Sequence, residues 1–253
     1  MKINELYNKM SEHFPRELSC EWDNDGLMCT RDAGAEVKKV LLSLDVTEAA
    51  VDYACKNGFD LIVSHHPLIF RKLGAVTPEN YVSKKVIRLL ADKVSVFSFH
   101  TRADTAEGGV NDALASVLGL ANVKAFGEEE AMGRIGSLPS PMALADFAVL
   151  VKNALGADKV CYSGKGECKK VAVLGGDGKD FIPDAIKAGA DTFVSGSISY
   201  NVMLDAPEMG ISIIEAGHFH TENPVLTVYE QLIRGYCPDA QIEKFSSNCI
   251  KTL

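Results

Sequence analysis

The chain has 253 residues with a formal net charge of −8, and 47% of its residues are hydrophobic and 24% are charged. These values are typical of a globular protein and exclude a disordered or collagen-like chain. Because the chain is acidic, nucleic acid and anionic membrane surfaces are unfavourable partners, and no apolar run approaches the roughly 20 residues that span a membrane.

The seven cysteines predict free thiols rather than disulfides. Their number is odd, no two are spaced as Cys-x-x-Cys, and several lie in apolar runs, where reduced cysteine packs as a small hydrophobic residue. The first ten residues also lack the apolar stretch of about 7 to 15 residues that a secretory signal needs. We therefore expect a cytoplasmic protein.

Three short runs of β-branched and other apolar residues predict strands in the first half of the chain, at 39–45, 60–64 and 93–100. Helical patterns separate these runs. The first predicted helix has Thr47 as its N-cap and ends at Gly58, and the second has Thr77 as its N-cap and Pro78 as its first residue. Strands that alternate with helices are typical of a parallel sheet.

A third helix is predicted from apolar residues spaced i, i+3, i+4, i+7 and i+8 over 110–118. The segment that follows, 121–132, is polar and acidic, and we interpret it as the region of a domain boundary. The expected domains are therefore 1–125 and 126–253.

The second half repeats the alternation of strands and helices. It predicts a helix at 142–155 and a last helix whose apolar face runs from Val225 to Ile233. The last helix and the strand after it can pack back on the first domain. The predicted strands of this half are 159–162, 170–174, 191–195 and 211–215.

An internal repeat relates the two halves. A shift of 131 positions aligns 38–45 and 56–66 with 169–176 and 187–197. This match predicts an α/β fold of two similar domains that arose by duplication. The alternative is that two βαβ units resemble each other in composition alone.

The distribution of histidines points to a metal site. The chain has six histidines, and His13 alone lies in an ordinary amphipathic helix. The other five directly follow predicted strands, where open parallel sheets bind ligands. They are His65, His66, His100, His218 and His220. For any one of them, a hydrogen bond to a loop carbonyl is the alternative role.

Each half pairs a histidine with a carboxylate four residues later. A shift of 118 positions aligns His100 with His218 and Asp104 with Glu222. Imidazole and carboxylate ligands suit Zn, Mn, Fe, Co or Ni, and the lack of clustered thiolates argues against an iron–sulfur cluster or a zinc finger. Two metal ions need a bridging ligand, for which Glu222 is the candidate.

Two other features allow more than one interpretation. Residues 175–178, Gly-Gly-Asp-Gly, follow a strand and are either a phosphate-binding turn or, more simply, a strand-to-helix turn. Asp45 either supports a metal ligand or supplies negative charge at the start of the next helix. No Gly-x-Ser-x-Gly motif is present, so covalent catalysis by a serine is not expected.

Four motifs in combination resemble one family over nearly the whole chain. They are Trp22-Asp23-Asn24-Asp25-Gly26-Leu27, Ser64-His65-His66-Pro67, His100-x-x-x-Asp104 with Gly109-x-Asn111, and Gly217-His218 with Thr221-Glu222. The resemblance is to the Nif-three-like family, whose members are often named GTP cyclohydrolase I type 2 homologues. It implies two similar α/β domains that face each other across a metal-binding cleft, and a toroidal homohexamer.

The resemblance also implies which residues bind metal. The implied ligands of a dinuclear site are His65, His66, Asp104, His218 and Glu222. His100 matches a position close to the metals, from which it could shuttle a proton. The tryptophan motif would lie near the site without an assigned role.

The expected function is metal-dependent hydrolysis, because two metal ions with an open position lower the pKa of bound water. If the family name holds, the reaction opens the imidazole ring of the guanine base of GTP and releases formate. The cations expected near a triphosphate are Arg71, Lys72 and Arg102, and hydrolysis of another nucleotide or phosphoester is equally plausible. The alternative is a scaffold that binds metal or a small ligand without turnover.

Overall fold

A computed structural model describes residues 1–127 and 131–251 of the chain. The chain divides into two compact units. The first unit contains residues 1–106 and 226–249, and the second contains residues 107–225 with the end of the chain from Ile250. The sequence-based division at 125/126 therefore differs from this one for residues 107–125, which belong to the second unit.

The first part of the chain alternates strands and helices. In chain order the elements are α1 (Ile3–His13), a 3-10 turn (Arg16–Leu18), β1 (Gly26–Cys29), β2 (Lys39–Ser43), α2 (Glu48–Lys56), β3 (Leu61–Ser64), α3 (Tyr81–Ala91), β4 (Ser95–Ser98), α4 (Thr101–Thr105) and α5 (Val110–Val117).

The rest of the chain adds a second set of strands and helices. These elements are β5 (Ala121–Phe126), β6 (Gly133–Ala143), α6 (Leu144–Leu155), β7 (Cys161–Ser163), β8 (Glu167–Leu174), a 3-10 turn (Lys179–Phe181), α7 (Ile182–Lys187), β9 (Thr192–Ser195), α8 (Tyr200–Glu208), β10 (Ser212–Glu215), α9 (His218–Glu222), α10 (Val225–Tyr236) and β11 (Gln241–Phe245).

The first unit is built on a five-stranded sheet in the order β1-β4-β3-β2-β11. Its last four strands are parallel and β1 is antiparallel to β4. Strands β3 and β4 are buried along their whole length, as expected for central parallel strands covered by helices. Because β11 pairs with β2, a strand from late in the chain completes the sheet of the first unit.

The second unit is built on a six-stranded mixed sheet in the order β5-β6-β8-β9-β10-β7. Strands β8, β9 and β10 are parallel, and β5, β6 and β7 join by antiparallel pairing. Helix α5 belongs here because Leu114 and Ala115 share one buried apolar cluster with Phe147 of α6 and Val171 of β8. This packing places the boundary before α5, earlier than the polar composition of 121–132 indicated.

The predicted α/β fold of two similar units is confirmed, and the repeat is visible in strand register. Val40 pairs with Leu61 in the first sheet, and Val171 pairs with Thr192 in the second. Both residues of the second pair lie 131 positions after those of the first. The shared register shows that the sequence match reflects structure and not composition alone.

Helix boundaries follow the local capping chemistry. The Thr47 side chain accepts a hydrogen bond from Ala50 N, which confirms it as the N-cap of α2. The prediction for α3 was wrong: its N-cap is Asn80, whose side chain accepts hydrogen bonds from Val82 N and Ser83 N. A second capping residue three positions after Thr77 therefore starts the helix later.

The longest helices, α6 and α10, have 12 residues each. A helix needs about 20 apolar residues to cross a bilayer. Within residues 1–127 and 131–251, no helix is long and apolar enough to do so.

Candidate metal centre

His65 and His66 leave the end of β3 in the first unit. The His65 ring is fully buried, and its Nδ1 lies 2.9 Å from the backbone oxygen of Phe99. The His66 ring is partly exposed, and its Nδ1 lies 2.7 Å from Oδ1 of Asp45. The Asp45 carboxylate also accepts a hydrogen bond from the Ser247 hydroxyl, at 2.9 Å. Of the two roles considered for Asp45, the structure therefore favours support of His66.

His100 follows β4 and is the N-cap residue of α4. Its Nδ1 lies 2.9 Å from Oδ1 of Asp23, and its backbone N–H donates to Oδ2 of Asp25 at 3.0 Å. Two carboxylates of the tryptophan motif therefore hold both the backbone and the ring of His100. These contacts give the motif the structural role that its sequence alone did not reveal.

The three imidazoles share one arrangement. A carbonyl or carboxylate oxygen only accepts, so each neutral ring carries its proton on Nδ1 and keeps a lone pair on Nε2. Histidine ligands of metals almost always donate their second N–H in this way. His65, His66 and His100 offer ligand atoms that lie within 4.8 Å of one another. The donor set therefore fits a divalent transition metal.

Asp104 adds a carboxylate to the histidines of the first unit. It lies on the single turn of α4, four residues after His100, and its Oδ1 is 3.6 Å from Nε2 of His65. Because α4 is a helical turn, it presents Asp104 toward the ring nitrogen that His65 does not use for its bond to Phe99.

His218 and Glu222 form the corresponding pair in the second unit. Both lie on α9, and Nε2 of His218 is 3.2 Å from Oε2 of Glu222. The Glu222 side chain is buried, whereas that of His218 is exposed. An imidazole and a carboxylate at i and i+4 share one helix face, so α9 presents two metal-type ligands side by side.

Two glycines make room for this pair. A Cβ atom on Gly176 would lie 2.3 Å from Oε1 of Glu222, and one on Gly196 would lie 2.7 Å from the Cα of His218. Gly196 occupies the repeat position of His65, 131 residues later. Where the first unit carries a histidine, the second unit has a glycine that lets α9 approach the sheet.

The glycine-rich segment 175–178 is a strand-to-helix turn whose three glycine N–H groups already donate hydrogen bonds. Gly175 N donates to Oδ1 of Asn111 at 2.7 Å, and Gly178 N donates to the Ser195 hydroxyl at 3.0 Å. Gly176 N donates to the Thr221 hydroxyl at 3.1 Å. The phosphate-binding alternative is therefore not supported, and the turn instead anchors α5 and α9.

Asp23 is strongly acidic in the folded chain. Burial alone would raise its pKa, but hydrogen bonds from His100 and Thr101 and the charge of His100 lower it to about 2. Thr101 donates twice, from its backbone N at 3.1 Å and from its hydroxyl at 2.6 Å. The carboxylate is therefore ionised across the physiological range and keeps His100 oriented.

Arg102 does not serve the site as a surface cation, contrary to expectation. Its side chain is fully buried; Nε donates to Oδ2 of Asp25 at 2.9 Å and Nη1 donates to the Phe14 carbonyl at 3.1 Å. The guanidinium also lies 4.5 Å from the centre of the Phe99 ring. Arg102 is therefore a structural support for the Asp25 carboxylate.

The structure distributes the predicted residues over both units. The first unit brings together His65, His66, His100 and Asp104, and the second brings together His218 and Glu222. His13 and His220 belong to no group of potential metal ligands within the described part of the chain. Sequence reasoning missed Asp23 and Gly176, although both lie in segments that it had singled out.

The match to known proteins covers the whole site. The family model for Duf34/NIF3 (NGG1p interacting factor 3) matches residues 1–252. The chain belongs to the Duf34/NIF3 family. The predicted resemblance is thereby confirmed.

Relatives within the Duf34/NIF3 family align over nearly the full chain. The "GTP cyclohydrolase 1 type 2 homolog" of Clostridium perfringens is 34% identical, over 92% of both chains. The "Protein NIF3 homolog" of Schizosaccharomyces pombe is 31% identical, over 92% of this chain and 84% of its own.

Solved structures share the fold. The Staphylococcus aureus hypothetical protein SA1388 has a TM-score of 0.90 and 25% identity, covering 100% of this chain and 99% of its own. Reduced HcgD from Methanocaldococcus jannaschii has a TM-score of 0.84 and 27% identity, covering 96% of this chain and 97% of its own.

Proposed function

We propose that this Duf34/NIF3 protein is a metal-dependent hydrolase that holds two divalent ions. The proposed ligands are His65, His66, Asp104, His218 and Glu222. The observation that carries the proposal is the shared arrangement of three imidazoles, each with Nδ1 bonded to an oxygen and with ligand atoms within 4.8 Å of one another. Zn, Mn, Fe, Co and Ni all suit this donor set.

Asp104 adds a carboxylate oxygen beside these rings. His65 is fully buried, and its Nε2 faces Oδ1 of Asp104 at 3.6 Å. An imidazole nitrogen and a carboxylate oxygen placed side by side in this way suit binding of one divalent cation by both residues.

When bound, paired divalent ions would polarise a substrate oxygen and make water nucleophilic near neutral pH. The chain's own residues would then orient the substrate and move protons. His100 is suited to accept a proton at Nε2, because Asp23 holds its Nδ1–H at 2.9 Å and so keeps the ring oriented. Glu222 is the proposed bridging and catalytic carboxylate.

The substrate class follows from the names of the relatives. Several are called GTP cyclohydrolase 1 type 2 homologs, which supports a nucleotide as the substrate. We propose GTP as the first compound to test, followed by other nucleotides and phosphodiesters.

The test is turnover by metal-loaded wild type, Glu222→Gln and Glu12→Gln. Glu12 is an exposed glutamate on α1 and serves as the matched control. We expect hydrolysis to fall at least about a hundredfold in Glu222→Gln and to stay within twofold of wild type in Glu12→Gln. Equal turnover of Glu222→Gln and wild type would contradict the mechanism.

If metal binds but no nucleotide or phosphoester is turned over, the result favours the alternative, a metal- or ligand-binding scaffold.

We further propose that the protein is cytoplasmic and forms a homohexamer. Sedimentation or light scattering tests the number of chains in the particle. We expect a particle of six chains. A monomer at micromolar concentration would contradict this assembly.

A further inference from the structure

A cavity of about 580 Å³ adjoins His66 in the first unit. Its size is in the range of about 300 to 1,000 Å³ that is usual for small-molecule sites. The segment 65–80 between β3 and α3 forms one wall. Connections longer than about 12 to 15 residues without helix or strand are uncommon in compact domains and are often functional.

The charge of this cavity is opposite to that of the chain. Arg71, Lys72 and Lys85 line it. Among the described residues, Asp45 is the single carboxylate that lines it, and Asp45 is bonded to His66 and Ser247. The whole chain has a formal charge of −8. Three cations around one partly neutralised acid therefore create a local positive field that suits an anion.

Lys85 is the most constrained of these cations. It is partly buried, and its Nζ donates to the Val46 carbonyl at 2.6 Å, which uses one of its three N–H donors. Within the described parts of the chain, no carboxylate lies within ion-pair distance of Lys85. Its neighbour Lys84, by contrast, is exposed and pairs with Glu48 at 2.6 Å.

Aromatic rings extend the cavity toward the histidines. Phe70 lines the cavity, and its ring centre lies 6.1 Å from those of both Trp22 and His100. Trp22 is 62% exposed and Phe70 is 46% exposed. The Trp22 and Phe70 rings meet edge to face, at an interplanar angle of 74°. A planar base can therefore stack on the face of one ring and contact the edge of the other.

We propose that the cavity binds a nucleotide, with its phosphates near Arg71, Lys72 and Lys85 and its base against Phe70 and Trp22. This inference rests on the proposed function for its substrate class and adds the residues that recognise it. In this position the ligand lies beside His66. The three cations of the cavity then contact the phosphates, a role that the buried Arg102 cannot fill. Binding requires neither bound metal nor turnover.

The experiment measures binding of GTP, guanosine and inorganic triphosphate to the full chain in EDTA. Trp22 is the sole tryptophan, so its fluorescence, excited at a wavelength that guanine does not absorb, reports on this site alone. We expect GTP to quench it saturably. Calorimetry gives the affinities of all three compounds.

The variants distinguish recognition of the phosphates from recognition of the base. We expect Lys85→Gln and Arg71→Gln to weaken GTP and triphosphate about tenfold or more, and Phe70→Leu to weaken GTP about tenfold but not triphosphate. Lys84→Gln is the matched control and should change neither affinity by more than twofold. Arg71 is exposed, so its variant tests the proposal even if Lys85→Gln does not fold.

Absence of GTP binding to folded wild type would overturn the inference, as would equal losses in Lys85→Gln and Lys84→Gln. Because these measurements omit metal, they can refute nucleotide binding without refuting the proposed hydrolysis. GTP binding with the expected variant pattern but no turnover supports this site and contradicts only the proposed hydrolysis.

Discussion

Asp23 and His100 are joined by a hydrogen bond of 2.9 Å between Oδ1 and Nδ1, although 76 residues separate them in the chain. The second carboxylate oxygen of Asp23 binds Thr101, the residue directly after His100. The carboxylate therefore fixes the backbone and the ring of this segment together. Such an anchor sets which nitrogen of His100 faces the other histidines.

Substitution Asp23→Asn tests this orientation. An amide places an NH₂ group against donors that now meet a carboxylate, so His100 or Thr101 loses an acceptor. We expect metal affinity to fall roughly 10- to 100-fold and the free energy of unfolding to fall by about 1–3 kcal/mol. Competition with a chelating dye measures the first effect, and urea unfolding the second.

The matched control for this substitution is Asp180→Asn, because Asp180 is exposed and belongs to no group of potential ligands in the described chain. It should leave both quantities unchanged. A folded Asp23→Asn protein that binds metal as tightly as wild type would show that His100 needs no carboxylate behind it.

Gly176→Ala tests the space reserved for Glu222. The backbone of Gly176 has φ +68°, and an added Cβ would meet Oε1 of Glu222 at 2.3 Å. Since real contacts are never that short, the carboxylate must move. We expect loss of stability of at least about 1–2 kcal/mol from the backbone alone and weaker metal binding as Glu222 is displaced.

Gly156→Ala separates these two effects. Gly156 has nearly the same backbone conformation, φ +61°, but nothing lies within 4 Å of the position of its Cβ. It should lose stability without losing metal. If both variants bind metal equally well, the position of Glu222 does not depend on Gly176.

Cysteine reactivity gives a prediction that depends on pH. All seven cysteines are free thiols, and Cys161 and Cys249 are exposed. Burial raises the pKa of Cys29 to about 12, and burial with a hydrogen bond to Asp92 raises that of Cys55 to about 11. Because the thiolate is the reactive form, a raised pKa slows alkylation at neutral pH.

We expect iodoacetamide at pH 8 to modify Cys161 and Cys249 first. Cys55 should react at least about a hundredfold more slowly, and its rate should rise about tenfold for each unit of pH up to about 10. Peptide mass spectrometry over time measures each site. Modification of Cys55 as fast as Cys161 at pH 8 would contradict the environment described for it.

The sequence predicted the parts of this protein that repeat or alternate. Buried strands such as β3 and β9 stand out by composition, and the shift of 131 residues aligns them in the register that the sheets adopt. The histidines at strand ends were found because parallel sheets place ligands there. Local sequence patterns therefore predicted the position of a side chain correctly where a single strand or turn determines that position.

The remaining features depend on contacts between distant segments. Nothing within the tryptophan motif shows that Asp23 binds a histidine beyond β4, and nothing around Gly176 shows that its hydrogen faces Glu222. Similarly, Arg102 follows the site histidine and looks available, but Asp25 and Phe14 bury it. Such roles follow from packing, which a single sequence does not encode locally.

The metal content per chain shows whether the histidines and carboxylates of both units hold two ions. Elemental mass spectrometry is applied to wild type, His65→Ala, His218→Ala and the control His13→Gln, each reconstituted with Zn, Mn, Fe, Co and Ni in turn and freed of excess metal. We expect about two ions per chain in wild type and His13→Gln, and a loss of about one ion or more in the other two variants. No bound metal in wild type, or equal content in all four proteins, would contradict a dinuclear metal site.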